Sequence, residues 1–340
     1  MQYQIQQYFY LSLATFIFVG VLTPFMRKLA LRIGAVDAPN LARKAQSEPV
    51  PYLGGVAIVI GVLIASYVPI YLEQSDFALA STVLLPALFM GIMGLVDDLK
   101  NLSPWPRLIS QTLVGVIVAA ILISTDTIGS PSRIFIIDAV ITTIWVVGVC
   151  NSINFFDNLD GGAAGTVVVI SIFTFIIAFE QGQLLVGALA IVTAGATAGF
   201  LLWNRPPAKI YMGDAGALFL GIIIAVLTIR LDPAIQPMWK SLSIPLLLMA
   251  VPILDTTVAV TSRISRGISP FTGGRDHLSH RLMRKGLNRR AAAISLWGLA
   301  GIYGVTAYAV FKAQSTSLII LAAITWAALY LFFIRIAHTD

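Results

Sequence analysis

Residues 138–179 read DAVITTIWVVGVCNSINFFDNLDGGAAGTVVVISIFTFIIAF, and the fold turns on how this stretch is parsed. Two apolar runs, 138–155 and 163–179, flank a short polar segment. A helix needs about 20 apolar residues to cross a hydrocarbon core, and both runs come close to that length. Across the end of the first run and the segment that follows it, Asn151, Asn154, Asp157 and Asp160 recur at every third position. On a helix a step of three keeps such residues neighbours, so the spacing predicts one polar strip at a membrane boundary. Carboxamides and carboxylates together suit sugar or base recognition and hard-cation binding. A plain hydrophilic turn with helix caps is the alternative, but four such groups beside lipid are costly to keep without a function.

The same parsing extends along the chain. Eleven apolar stretches lie near 8–29, 53–72, 79–96, 108–124, 138–155, 163–179, 184–203, 215–230, 241–262, 291–311 and 316–336. The composition agrees: 58% of the 340 residues are hydrophobic and 11% charged. Soluble domains carry roughly 25% charged residues, so the expected class is an all-α polytopic membrane protein. Residues 1–340 read as a single integral-membrane domain, with 263–290 as a basic loop. The lone cysteine, Cys150, excludes an intrachain disulfide and reads as a small buried apolar residue.

Charge then orients the helices. If the first loop faces the cytoplasm, 18 of the 22 Lys and Arg fall on that side, and only Arg133, Arg230, Lys240 and Lys312 on the other. This split satisfies the positive-inside rule with the N-terminus outside and the C-terminus cytoplasmic. The net charge of +6 is therefore loop charge and implies no nucleic acid.

The unusual polar motifs all fall on the same, expected cytoplasmic face. Asp97-Asp98 closes an apolar run, where the helix dipole is already negative, so a divalent cation or a basic neighbour is implied. A solvated helix end salted by Lys100 and Arg107 is the competing reading. Asn204 to Gly216 places Lys209, Tyr211, Gly213 and Asp214 at a helix start, where anions are favoured. Asp214 reads as an N-cap or as part of a charged site, and Tyr211 as a base-stacking ring or an interface anchor. The loop 263–290 carries Arg263, Arg266, Arg275, His277, His280 and Arg281, a basic set that suits a pyrophosphate clamp; part of it is ordinary inside charge. Asp255, within the ninth apolar run, is expected to face the bundle and pair with a basic residue. A transporter would instead carry its charges near mid-membrane, and the early apolar runs are clean.

Taken together, Pro51-Tyr-Leu-Gly54-Gly55, Asp97-Asp98, Asn151-x-x-Asn154-x-x-Asp157-x-x-Asp160-Gly161, Met212-Gly213-Asp214 and His277-x-x-His280 resemble the polyprenyl-phosphate N-acetylhexosamine-1-phosphate transferases. Gly267-Ile-Ser269-Pro270-Phe271 with Arg275-x-His277-x-x-His280 is similar to the branch that uses UDP-N-acetylglucosamine. The phospho-N-acetylmuramoyl-pentapeptide transferases usually show adjacent histidines where this chain has Ser279. Other departures are Arg107 where Lys is frequent, Gln46 where His is frequent, and Gly162 where Leu is commoner.

The resemblance implies ten or eleven transmembrane helices, a plasma-membrane location, an active site on the cytoplasmic face and a homodimer. It implies a cofactor, Mg²⁺ or Mn²⁺ in its place, held by Asp214, Asp98 and Asn154. Asp97, Asp98, Asp157, His277 and His280 are the implied catalytic set. Lys44, Arg107, Asn151, Asn154, Asp160, Asn204, Tyr211, Arg263 and Arg275 are the implied substrate-binding residues. The implied partners are a UDP-sugar and a polyprenyl phosphate lipid, joined with release of UMP to start a wall or surface polysaccharide. A phosphate monoester has a second pKa of about 6, so the lipid is mostly dianionic at neutral pH. Asp97 is then expected to organise metal or phosphate rather than act as a strong base.

Overall fold

A computed structural model describes residues 4–37, 49–73, 77–129, 132 and 134–336. Thirteen helices follow in order: α1 (Ile5–Ile33), α2 (Gly54–Leu72), α3 (Phe77–Lys100), α4 (Pro104–Ser124), α5 (Phe135–Phe156), α6 (Gly162–Glu180), α7 (Leu184–Asn204), α8 (Gly213–Arg230), α9 (Met238–Leu248), α10 (Ala250–Ser265), α11 (Leu278–Arg284), α12 (Arg289–Ala313) and α13 (Thr316–Ile334). Strands β1 (Val36–Asp37) and β2 (Val50–Pro51) pair antiparallel between α1 and α2.

Among the described residues, ten helices are individually long and apolar enough to cross a membrane. The expected ninth span, 241–262, is a correction: it is two helices, α9 and α10, bent by 74° at Met249. Pro245 and Pro252 flank the break and cannot donate to the helix ladder. The Ala250 carbonyl beside the break accepts from Trp326 Nε1 of α13 at 3.0 Å. Counting that pair as one span gives eleven.

Burial ranks the helices by position in the bundle. α8 is interior along nearly its whole length, whereas α1 and α13 expose most of their apolar side chains, as lipid-facing helices do. α3, α5 and α2 pack directly around α8. Small residues allow the closest approach, since helix association in lipid relies on tight van der Waals contact. A Cβ on Gly94 of α3 would lie 2.2 Å from the Asp214 carbonyl oxygen of α8. That contact brings the end of α3, which carries Asp97 and Asp98, against the first turn of α8.

Candidate active site

The polar ends of α3, α4, α5 and α8, with the segments at 204–214 and 273–280, enclose a cleft of about 860 Å³. Its floor is built on one cap. Gly213 has φ +71°, and a Cβ there would lie 2.6 Å from Asp98 Oδ2, so this entry to α8 requires glycine. The turn aims the first amides of α8 at Asp98, whose Oδ1 accepts from Asp214 N at 2.8 Å and Oδ2 from Ala215 N at 3.0 Å. Asp98 thus ends one helix while satisfying orphan donors at the start of another.

Arg107, entering from the first turn of α4, joins the two neighbouring acids. Its Nη1 donates to Asp97 Oδ2 at 2.8 Å and to Asp214 Oδ2 at 2.9 Å. Asp97 Oδ1 accepts from Leu102 N at 2.7 Å, which fixes the turn from α3 into α4. The other Asp214 oxygen accepts from Asn154 Nδ2 at 2.6 Å, leaving the Asn154 carbonyl oxygen as a further acceptor. Carboxylates from α3 and α8 therefore meet a carboxamide from α5 and a guanidinium from α4.

The polar strip read across 151–160 is half helical. α5 ends at Phe156, so Asp157 and Asp160 lie in the turn beyond it. Asp157 lines the cleft, and burial first, then the charges of Asp214 and Asp160, push its carboxyl up to about 7. Asp160 Oδ2 accepts from Ala208 N at 3.0 Å and lies 3.8 Å from Arg289 Nη1. Asn151 departs from the strip: it lies off the cleft and donates to Gln111 Oε1 at 2.7 Å and to the Val147 carbonyl at 2.8 Å. Asn204 reaches the cleft, but its Oδ1 accepts from Gly161 N and its Nδ2 donates to the Ile210 carbonyl, so it braces the turn. Tyr211 lines the wall, and burial, reinforced by Asp160, raises its hydroxyl pKa, which keeps it protonated.

The basic loop divides. His277 and His280 border the cleft. Burial above all lowers His280 to about 4, so its imidazole is neutral near pH 7. Arg263 and Arg275 do not line the cleft, contrary to the expected substrate contacts. Arg263 is buried and donates to Asp276 Oδ2 at 2.9 Å and to the Pro270 carbonyl at 2.8 Å. Arg275 is exposed, and its carbonyl accepts from Arg284 Nη1. Lys44 lies outside the described residues. Sequence reasoning passed over Tyr52, Phe155, Asn158 and Arg289, all of which line the cleft. Arg289 read as ordinary inside charge, and Tyr52 stood inside a quoted motif without a role. Asn158 Oδ1 accepts from Ser279 Oγ, which gives the serine in the histidine run a partner across the cleft.

Among the described lining residues, six carboxylates (Asp37, Asp97, Asp98, Asp157, Asp160, Asp214) face two guanidiniums, Arg107 and Arg289. No described group of three or more His, Cys, Asp or Glu is gathered as a ready metal shell, because Arg107 holds Asp97 and Asp214 and backbone amides hold Asp98. The donor chemistry still fits a divalent cation. All these ligand atoms are hard oxygens, each carboxylate keeps unused lone pairs, and among the described lining residues acids outnumber guanidiniums.

Residues 80–232 match the family described as glycosyl transferase family 4. Over 342 residues the chain is 31% identical to a probable undecaprenyl-phosphate N-acetylglucosaminyl 1-phosphate transferase of Bacillus subtilis, covering 96% of this chain and 88% of that protein. It is 30% identical over 335 residues to the decaprenyl-phosphate N-acetylglucosaminephosphotransferase of Mycolicibacterium smegmatis, covering 89% and 82% of the two chains. A phospho-N-acetylmuramoyl-pentapeptide-transferase of Streptococcus thermophilus is 28% identical over 233 residues, covering 63% and 66%. Full-length likeness to the first two, an all-helical membrane fold and an acidic cleft at one end of the bundle lead to one conclusion: the chain belongs to glycosyl transferase family 4, among the membrane-embedded polyprenyl-phosphate N-acetylhexosamine-1-phosphate transferases.

Proposed function

We propose that the protein transfers N-acetylglucosamine-1-phosphate from UDP-N-acetylglucosamine to undecaprenyl phosphate on the cytoplasmic face of the plasma membrane, starting a lipid-linked surface polysaccharide. The observation that carries this reading is the cleft itself, where Asp97, Asp98, Asp157 and Asp214 from separate segments converge at one end of an apolar bundle. A polar cleft at the end of an apolar bundle suits a reaction that joins a water-soluble nucleotide to a lipid headgroup. Likeness to two N-acetylglucosamine phosphotransferases over most of the chain supports the sugar.

An oxygen of the lipid phosphate attacks the β-phosphorus of the UDP-sugar. The bond from that phosphorus to the α–β bridging oxygen breaks, and UMP leaves with the oxygen. Catalysis of phosphoryl transfer is mainly positioning and charge neutralisation. Two anionic substrates must enter a cleft whose described lining is mainly acidic, and a cation offsets that repulsion. Asp214, Asp98 and the Asn154 carbonyl oxygen would hold Mg²⁺, with Asp157 across the cleft. When bound, the ion supplies the positive charge that lets the two phosphates approach. Arg107 swings its donor between acid and phosphate, and Arg289 and His280 supply donors on the far wall. Tyr211 offers a ring to the uracil. Asp97, already committed to Arg107 and the Leu102 amide, orients Arg107 rather than taking a proton.

The test is direct. Purified protein with UDP-N-acetylglucosamine, undecaprenyl phosphate and Mg²⁺ is expected to release UMP and form a lipid-linked diphosphosugar. Turnover of UDP-N-acetylmuramoyl-pentapeptide in preference to UDP-N-acetylglucosamine would reverse the assignment.

A further inference from the structure

We infer that Asp255 is a positioning residue. It holds His277 in its Nδ1–H tautomer so that His277 and Arg263 interlock and set residues 270–280 against the cleft, leaving His280 as the imidazole that meets substrate. This deepens the transferase reading and rests on it for the substrate alone.

The tautomer follows from hydrogen-bond chemistry. Arg263 Nη2 lies 3.1 Å from His277 Nε2. A guanidinium only donates, so Nε2 must accept and carries no proton. The ring proton is then on Nδ1, which lies 2.7 Å from Asp255 Oδ2, an acceptor. The second Asp255 oxygen accepts from Leu278 N at 2.7 Å, at the start of α11. Asp255 is 0% exposed, so neither bond competes with water.

The consequence reaches the cleft through Arg263. Its guanidinium ties Pro270, Asp276 and His277 to α10 and lies 5.8 Å from the centre of the Phe155 ring, which lines the cleft. A proton on Nε2 would set two donors face to face and expel Arg263. Both His277 nitrogens are thereby used by the protein, and no ring atom remains for a phosphate. His280 borders the cleft with its ring 6.3 Å from that of His277, and hydrogen-bonds to no described residue.

The chain has three histidines, His277, His280 and His338, so selective ¹⁵N-histidine labelling of the detergent-solubilised protein yields few signals. H280Q and H338Q assign them. In the wild type His277 is expected to show a protonated Nδ1 and a bare Nε2. In D255N the amide's own N–H faces Nδ1, and the proton is expected to move to Nε2, whereas D255E keeps the original tautomer. UMP release by D255N is expected to lose about 100-fold in kcat, the scale of a misplaced active-site group, with KM for UDP-N-acetylglucosamine changed less than about threefold. D255E is expected to recover kcat to within about tenfold of wild type. A wild-type His277 protonated on Nε2, or on both nitrogens, overturns the inference, as does a D255N enzyme with full kcat. If D255N does not fold, the wild-type and D255E spectra decide the tautomer. Wild-type protein that releases no UMP from any UDP-sugar overturns the transferase reading alone, because the spectrum reports on Asp255 without turnover.

Discussion

A single nitrogen of Arg107 makes both bonds that join Asp97 to Asp214. Arginine and lysine differ where a planar fork is used, but here one donor does the bridging. R107K is therefore expected to retain UMP release within about fivefold, while R107Q, which leaves the acids without a cation, is expected to lose about 100-fold. Comparing the two rates separates charge from shape. Two other residues respond to pH in opposite senses. Asp157 is raised to about 7 by burial and by neighbouring acids, so the folded protein holds a proton that the unfolded chain releases near 4. Its contribution to stability is present below about 4 and is lost as pH rises through about 7. His280 is lowered to about 4, so the unfolded chain takes up a proton near 6.5 that the folded protein refuses. Its contribution is present above about 6.5 and is lost as pH falls towards 4. Thermal melts in detergent are expected to show D157N flattening the decline towards neutral pH and H280Q flattening the decline below it.

At the scale of elements, the close crossing of α3 and α8 is what places Asp97 and Asp98 beside Asp214. G94A sets a Cβ 2.2 Å from a backbone carbonyl that cannot move aside, and is expected to cost about 1–3 kcal/mol and to reduce UMP release by parting the two helices. G148A is the control, because a Cβ there meets nothing within 4 Å and the helix gains up to about 1 kcal/mol in propensity. Equal losses in both variants would show that the crossing is not what matters. The break between α9 and α10 belongs to the same scale. The apolar run 241–262 reads as one continuous span because hydropathy counts residues and is blind to the ladder bonds that two prolines remove. The polar strip at the end of α5 also reads too regularly: the spacing of Asn151, Asn154, Asp157 and Asp160 is helical, but α5 stops at Phe156.

At the scale of the whole molecule, the fold gathers acids from α3, α8 and the turn after α5 into one cleft, so cation demand belongs to the assembled lining rather than to any one helix. EDTA is expected to abolish UMP release, and added Mg²⁺ or Mn²⁺ to restore it; undiminished turnover in chelator would contradict the electrostatic argument. Orientation is testable with the chain's own chemistry. Cys150 is fully buried, so it is a silent background for labelling. K285C is expected to react with an impermeant maleimide only from the cytoplasmic side, and Q314C only from the outside.

Sequence by itself determined the helical membrane class, most of the spans, and five of the six described acids that line the cleft, all but Asp37. These are local quantities: apolar run length, the cost of a carboxylate beside lipid, the glycine before Asp214. Tertiary structure alone decided what each polar group does. Asp97, Asp98, Asn204 and Arg263 spend their hydrogen bonds on the protein, Asn151 turns to Gln111, and Asp255 in one helix dictates where a proton sits on His277 in a loop 22 residues away. A side chain's chemistry is written in its type, but whether its donors and acceptors are free depends on which distant groups the packing brings within about 3 Å.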